Sequence, residues 1–161
     1  MYNHYPSKDD LAWALFSQAF SELGTDLRQA AHDEATLEGK LRAMIAYVFR
    51  RFDENWLLVS FVFFARHQFL KRVTRDLANP YIVFRSVIAE AMRREEIPSQ
   101  DLEIATSMVT GAVIQVIDTR ILGRLEGELA GIAGPVTAGC LRLLGRIEHP
   151  RPGKSRSAGR M

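Results

Sequence analysis

The spacing of apolar residues predicts helices along most of the chain. Pro6 would stop an earlier helix, and Ser7 with Asp10 three residues later forms a capping-box pattern. A long amphipathic helix should follow, with apolar positions at Leu11, Leu15, Ala19, Phe20, Leu23, Leu27 and Ala30. A second helix is predicted to begin near Thr36, with its apolar stripe reaching Phe52, where Asp53, Glu54 and Asn55 form a break that can start the next helix.

The third segment, from Trp56 to Ala65, is apolar on almost every side. A buried strand is the competing interpretation, because Val59 and the phenylalanines favour β structure. No other segment alternates with period two to supply a partner strand, so a helix is predicted instead. A helix without a polar face should be surrounded by other elements.

Three further helices are predicted. Asn79 and Pro80 form an N-cap followed by proline at the first helical position, and this helix should end in the charged run at residues 93–96. Ser99 is the predicted cap of a fifth helix over about 100–125, and a sixth should cover about 135–147. The fold class is therefore all-α, with about six helices.

The last two helices carry more apolar surface than one core would cover. This surplus predicts a homodimer in which both helices pair with their copies as a four-helix bundle. The alternative is that the surplus is internal core. The residues predicted at the dimer interface are Ile114, Ile121, Val136, Cys140, Leu143, Leu144 and Ile147.

Composition narrows the class of protein. The 161 residues, 47% hydrophobic and 25% charged, fit one soluble domain over residues 7–148. The net charge of +2 gives no general basic field, and most of the excess lies in a tail, residues 149–161, that is predicted to be disordered. Cys140 is the only cysteine, so a reducing cytoplasm fits best. No signal peptide or membrane span is predicted.

The first eleven residues resemble a known family. In TetR-type transcriptional regulators an apolar-Tyr-x-His-Phe-x-Ser/Asn-Lys-x-x-Leu pattern runs from the DNA-recognition helix into the helix that joins the two domains. Here Tyr2, His4, Ser7, Lys8 and Leu11 match as they stand, and Phe is replaced by a second Tyr. The helix count, the aromatic-rich third segment and the Leu-Gly-Arg-Leu-Glu-Gly-Glu-Leu stretch at 122–129 are also similar to the family's ligand domain.

The resemblance implies that residues 1–6 are the end of a recognition helix. Tyr2 and His4 would contact DNA, and Lys8 with the backbone N–H groups after Ser7 would clamp a phosphate. A complete helix-turn-helix needs roughly forty more residues before this point, so operator DNA would be bound only if those residues are present. The starting methionine would then be internal. Otherwise the chain is a DNA-binding-deficient helical dimer that binds ligands or other proteins.

An enzyme is not predicted. The four histidines are scattered without the spacing of metal ligands, and Cys140 lies on an apolar face without an activating neighbour. The late glycines follow a helix and not a strand, so they form no phosphate cradle. No cofactor and no metal are expected.

The family resemblance makes the middle helices candidates for an effector pocket. A small, uncharged, apolar or aromatic effector is expected, and it would shift the helix arrangement and thereby the spacing of two DNA-reading heads. His67, Gln115 and Thr119 are the polar candidates, although His67 also fits a solvated helix end and the other two fit a dimer seam. The complete predicted set is Trp56, Phe61, Phe64, His67, Phe84, Met92, Met108, Gln115 and Thr119.

Overall fold

The protein is described over residues 6–74 and 78–146 by a computed structural model. These ranges contain six α-helices, two short 3₁₀ helices and no strand, which confirms the predicted all-α fold. The predictions for Tyr2, His4, Ile147 and the tail at 149–161 fall outside the described residues. The helices are α1 (Lys8–His32), α2 (Leu37–Glu54), α3 (Trp56–Phe69), α4 (Pro80–Arg93), α5 (Leu102–Ile121) and α6 (Ala133–Leu143), with 3₁₀ turns at Leu70–Arg72 and Leu129–Ile132.

Side-chain caps fix where five of these helices begin, α1 to α5. The Ser7 hydroxyl accepts the backbone N–H of Asp10 at 3.1 Å, so the predicted capping pattern of α1 is confirmed. Asn55 ends α2 and also caps α3, and its Oδ1 accepts the Leu58 N–H at 3.2 Å. Asn79 caps α4 in the same way, with Pro80 at the first helical position as predicted.

The predicted limits of α5 need two corrections. Asp101, and not Ser99, is its N-cap, because the Asp101 carboxylate accepts the Ile104 N–H at 2.9 Å. The helix ends at Ile121 and does not reach residue 125. Gly123 adopts a left-handed backbone with φ +72°, and the Arg124 N–H bonds back to the Thr119 carbonyl at 3.1 Å. This C-terminal motif satisfies the last carbonyls and stops the helix.

Helix α2 lies at the centre of the larger of two hydrophobic clusters, and each of the other five α-helices contacts it. Its buried side chains recur at helical spacing and form one continuous stripe. They are Leu37, Leu41, Met44, Ile45, Val48, Phe49 and Phe52. The Asp53 carboxylate at its end accepts the backbone N–H groups of Leu129 and Ala130, both at 2.9 Å, and thereby ties the turn before α6 to α2.

A second, smaller cluster joins α1 to α3. It consists of Phe16, Phe20, Val62 and Phe69. The rings of Phe16 and Phe69 lie 5.3 Å apart between centroids, and Phe16 stacks on Phe20 at 5.0 Å, which are favourable separations for aromatic pairs. Because α1 also contributes Leu27 to the larger cluster, one helix belongs to both parts of the core.

Helix α3 is less buried than its sequence suggested. Trp56, Leu57 and Phe64 are 54%, 64% and 65% exposed, so the prediction that other elements surround this helix is wrong for the single chain. Of the other α-helices in the described part of the chain, only α1 and α2 make extensive contacts with α3. They cover the face that carries Val62 and Phe69 and leave the opposite apolar face open to solvent.

One helix in the described part of the chain, α5, is long and apolar enough to cross a membrane by length and composition alone. Core helices of soluble proteins meet the same criteria. One face of α5, with Ala105, Val109, Val113 and Ile117, is buried in the larger cluster. The opposite face, which includes Ile104 and other uncharged residues, is exposed to solvent.

Gly24 sets how closely α1 approaches the segment before α4. A Cβ atom added there would lie 2.7 Å from both the carbonyl carbon and the carbonyl oxygen of Ala78. We expect Gly24→Ala to lower the free energy of unfolding by about 1–3 kcal/mol, because backbone must move to relieve the contact. A thermal melt followed by circular dichroism should show a Tm lower by several degrees.

Gly134→Ala is the matched control, because a Cβ atom at that helical glycine meets nothing within 4 Å. Its Tm should stay the same or rise slightly, as alanine is the better helix former. A Gly24→Ala variant as stable as Gly134→Ala would contradict the close α1–α4 packing.

Candidate ligand-binding site

A cavity of about 330 Å³ lies among α1, α2, α3, α4 and α5. This volume is at the lower end of the range of small-molecule sites. Its floor is apolar and buried, and consists of Phe20, Leu27, Val48, Val62, Phe84 and Val113. Most of the remaining lining residues are half-buried and Leu70 is exposed, so the cavity opens to solvent on their side.

The cavity lies where the two hydrophobic clusters meet. Phe20 and Val62 come from the smaller cluster, whereas Leu27, Phe84 and Val113 come from the larger one. Side chains of each cluster pack among themselves, and the space between the clusters stays open. An apolar space of this kind favours occupation by an apolar molecule over water.

Four polar side chains line the cavity: Arg66, Asn79, Tyr81 and Thr110. The Thr110 hydroxyl donates to the Thr106 carbonyl of its own helix at 2.8 Å. Asn79 uses its Oδ1 to accept the Tyr81 backbone N–H at 2.9 Å, so its amide NH₂ remains as a donor.

The Tyr81 hydroxyl is held by α5. It donates to the Glu103 carboxylate at 2.7 Å, and Arg85 approaches the other Glu103 oxygen at 2.5 Å. The hydrogen bond to Glu103 raises the pKa of Tyr81, and hydrogen bonds from Tyr81 and Arg85 lower the pKa of Glu103. Tyr81 therefore stays neutral, and its hydroxyl proton is already used within the protein.

Arg66 is the one charged residue among the described residues of the lining. Its guanidinium donates to the Phe63 carbonyl one turn earlier and lies 5.9 Å from the centroid of the Phe63 ring. No carboxylate lies within salt-bridge distance of Arg66 among the residues that the structure describes. Most of its N–H donors therefore have no protein acceptor in that part of the chain.

The structure brings one of the nine predicted ligand residues, Phe84, into this cavity. His67 is exposed, and Gln115 is exposed on the outer face of α5. Thr119 donates to the Gln115 carbonyl at 2.7 Å and so bonds within its own helix. The other predicted residues lie outside the lining as well: Trp56, Phe61, Phe64, Met92 and Met108.

Three of the site residues that the sequence analysis missed follow a helical pattern along α3 and the 3₁₀ turn after it. Val62, Arg66 and Leu70 are spaced by four residues and so share the face that lines the cavity. Phe64 and His67 lie on the solvent side. The signal was present as helical spacing, but a helix apolar on both faces does not show which of them is buried.

The structure places the predicted dimer residues in different surroundings. Val136 and Leu143 line a shallow outer groove between α5 and α6, where Leu143 is 46% exposed. Ile114 instead lines the cavity. Cys140 lines the same groove, although it is only 1% exposed. Leu144 is 0% exposed within the larger cluster and does not line the groove, so its prediction as an interface residue needs correction.

Leu144 is covered by its own chain, and Cys140 lies at the bottom of the groove with almost no exposed surface. Burial also raises the pKa of the Cys140 thiol to about 11, so the reactive thiolate is scarce at neutral pH. Ile121, the remaining described member of the predicted interface, is half-buried and lines a separate cleft with Trp56 and Asp53.

Lys8 is the described member of the predicted DNA-binding set. It is exposed in the first turn of α1, directly after the Ser7 cap. Among residues 6–74 and 78–146, no three His, Cys, Asp or Glu side chains are grouped so that they could hold a metal ion.

No protein-family model matches the chain, and no curated protein matches it in sequence. The fold is similar to that of a protein of unknown function from Rhodococcus sp. RHA1, with a TM-score of 0.73 and 14% sequence identity. The match covers 90% of this chain and 77% of that chain. At this identity the likeness is one of fold alone.

Proposed function

We propose that this chain is the effector-binding and dimerisation part of a cytoplasmic TetR-type transcriptional regulator. The observation that carries the proposal is the role of α1. This helix begins at the Ser7 cap, directly after the residues that resemble the end of a TetR recognition helix, and it also lines the apolar cavity through Phe20, Leu23 and Leu27.

A ligand in the cavity would act on α1 through the two clusters. It would contact Phe20 from the smaller cluster and Leu27 from the larger one, two turns apart on the same helix. A ligand that favours one relative arrangement of the clusters would shift the orientation of α1. Since α1 follows the DNA-reading segment in the proposed arrangement, its reorientation would change the spacing of two heads in a dimer. Lys8 would lie near a DNA phosphate in the DNA-bound arrangement.

The outer faces of α5 and α6 support the proposed homodimer. No Asp, Glu, Lys or Arg occurs at residues 104–117 or 133–141. Ile104 and Met108 are 60% and 36% exposed on this side, and Ala112 and Gly139 line the groove with small side chains that allow another helix to come close. Arg142 is the charged residue in the lining of this groove, and the rest of the lining is apolar or small. A largely apolar face that spans two adjacent helices is suited to self-pairing around a two-fold axis.

Filling the cavity tests ligand binding. N-phenyl-1-naphthylamine, a neutral apolar dye, should bind the wild-type protein with increased fluorescence. Leu23→Trp should weaken this binding at least about tenfold, because the indole takes up cavity volume, and about 1.4 kcal/mol of binding free energy corresponds to that factor. A fluorescence titration gives both dissociation constants.

Leu11→Trp is the matched control, since Leu11 lies on the same helix, is 42% exposed and does not line the cavity. It should bind the dye like the wild type. Absence of dye binding by the wild type, or equal loss in both variants, would contradict the proposed ligand site.

A single charge in the α5–α6 groove tests the dimer. The wild-type protein should have twice the 18.2 kDa mass of the chain at micromolar concentration. Leu143→Glu should make it a monomer, because the dimer would have to remove a charged carboxylate from water, and the desolvation of a charged group opposes association. Light scattering after size-exclusion chromatography measures the masses.

Leu57→Glu introduces the same charge at a 64% exposed leucine of α3, away from the groove, and should leave the dimer intact. A monomeric wild-type protein, or a Leu143→Glu variant that remains dimeric, would overturn the proposed interface.

A further inference from the structure

Two of the polar side chains that line the cavity have N–H donors left for a ligand. Of its four polar side chains, Thr110 and Tyr81 have their hydroxyl protons engaged within the protein, at 2.8 Å and 2.7 Å. The Asn79 amide NH₂ and the Arg66 guanidinium retain N–H groups for a ligand. Among the described residues, the lining contains no Asp or Glu side chain. A ligand therefore meets an apolar floor and, at the half-buried rim, one positive charge and an amide donor.

We infer that the ligand of this cavity is an amphipathic carboxylic acid, whose carboxylate pairs with Arg66 while its hydrocarbon body occupies the apolar floor. The inference rests on the proposed function, because it names the ligand class of the same cavity. The ligand is therefore expected to be anionic and not, as the sequence analysis had predicted, uncharged. That prediction was made without knowing that Arg66 lines the cavity.

The chemistry of Arg66 favours a carboxylate over a neutral acceptor. A guanidinium presents several N–H groups in a planar fork that matches the two oxygens of a carboxylate. Hydrogen bonds between two ionised groups are roughly twice as strong as those between neutral groups. The partial burial of Arg66 excludes part of the water that would otherwise weaken the pair.

The location of Arg66 also sets the orientation of the ligand. Arg66 is half-buried and lines the cavity beside the exposed Leu70, whereas Phe20, Phe84 and Val113 are almost fully buried. The carboxylate would therefore stay near solvent and the apolar chain would point inward. Because the volume of about 330 Å³ is small for a binding site, an unbranched acid of medium length is the appropriate probe.

The test compares octanoate with octanamide, which has the same chain and a neutral head group. Isothermal titration calorimetry at neutral pH should show that octanoate binds the wild-type protein at least about tenfold more tightly. Arg66→Gln should remove this preference while octanamide binding stays unchanged, and Arg66→Lys should restore part of it because the charge returns. Arg50→Gln, at an exposed arginine of α2 outside the lining, should keep the full preference.

The outcomes separate the two proposals. Equal affinities of the wild-type protein for octanoate and octanamide, or a preference that survives in Arg66→Gln, would overturn the carboxylate inference and leave the ligand site intact. Binding of N-phenyl-1-naphthylamine without binding of octanoate would likewise overturn the carboxylate inference and leave the ligand site intact. If the protein binds neither the dye nor either octanoyl compound, the proposed function and the inference both fail.

Discussion

The packing of the helices depends on α1, because this helix contributes side chains to both hydrophobic clusters. Over its 25 residues, a length of about 38 Å, α1 contributes Phe16 and Phe20 to the aromatic cluster and Leu27 and Ala31 to the larger one. Neither cluster can move relative to the other without moving or bending this helix. The cavity between them is a consequence of the same division, because its floor is drawn from both.

Under the proposed function, this division would link ligand binding to α1 by direct contact. A molecule in the cavity touches the helix at Phe20, Leu23 and Leu27 and also touches α4 and α5 at Phe84 and Val113. Any difference in how tightly it binds two arrangements of these helices shifts the population between them. The close approach of Gly24 to Ala78 lies between Leu23 and Leu27 on α1, so this contact is well positioned to transmit a change to the segment before α4.

The fold could be predicted from the sequence because its signals are local. Capping by Ser7, Asn55 and Asn79 involves residues two or three positions apart, and the stripe of α2 identifies its own buried face. The end of α5 was missed because the backbone conformation of Gly123 outweighs the apolar residues beyond it.

The cavity lining could not be predicted in the same way, because it depends on how each apolar helix is rotated about its own axis and therefore on which face it buries. Helix α3 is apolar on both faces, so nothing local distinguishes Phe63, which lines the cavity, from Phe64, which is 65% exposed. On α6, Leu143 and Leu144 are neighbours in the sequence, yet one is half exposed and the other is fully buried in the core of its own chain. Long-range packing decides each of these cases.

A crystal structure of the protein under xenon pressure would test directly whether an apolar cavity lies between the two hydrophobic clusters. Xenon enters dry apolar cavities and is located by its anomalous scattering. We expect a xenon site bounded by Phe20, Phe84 and Val113, at the junction of the two clusters. A structure in which side chains fill this space, with no xenon between α1 and α5, would contradict this expectation.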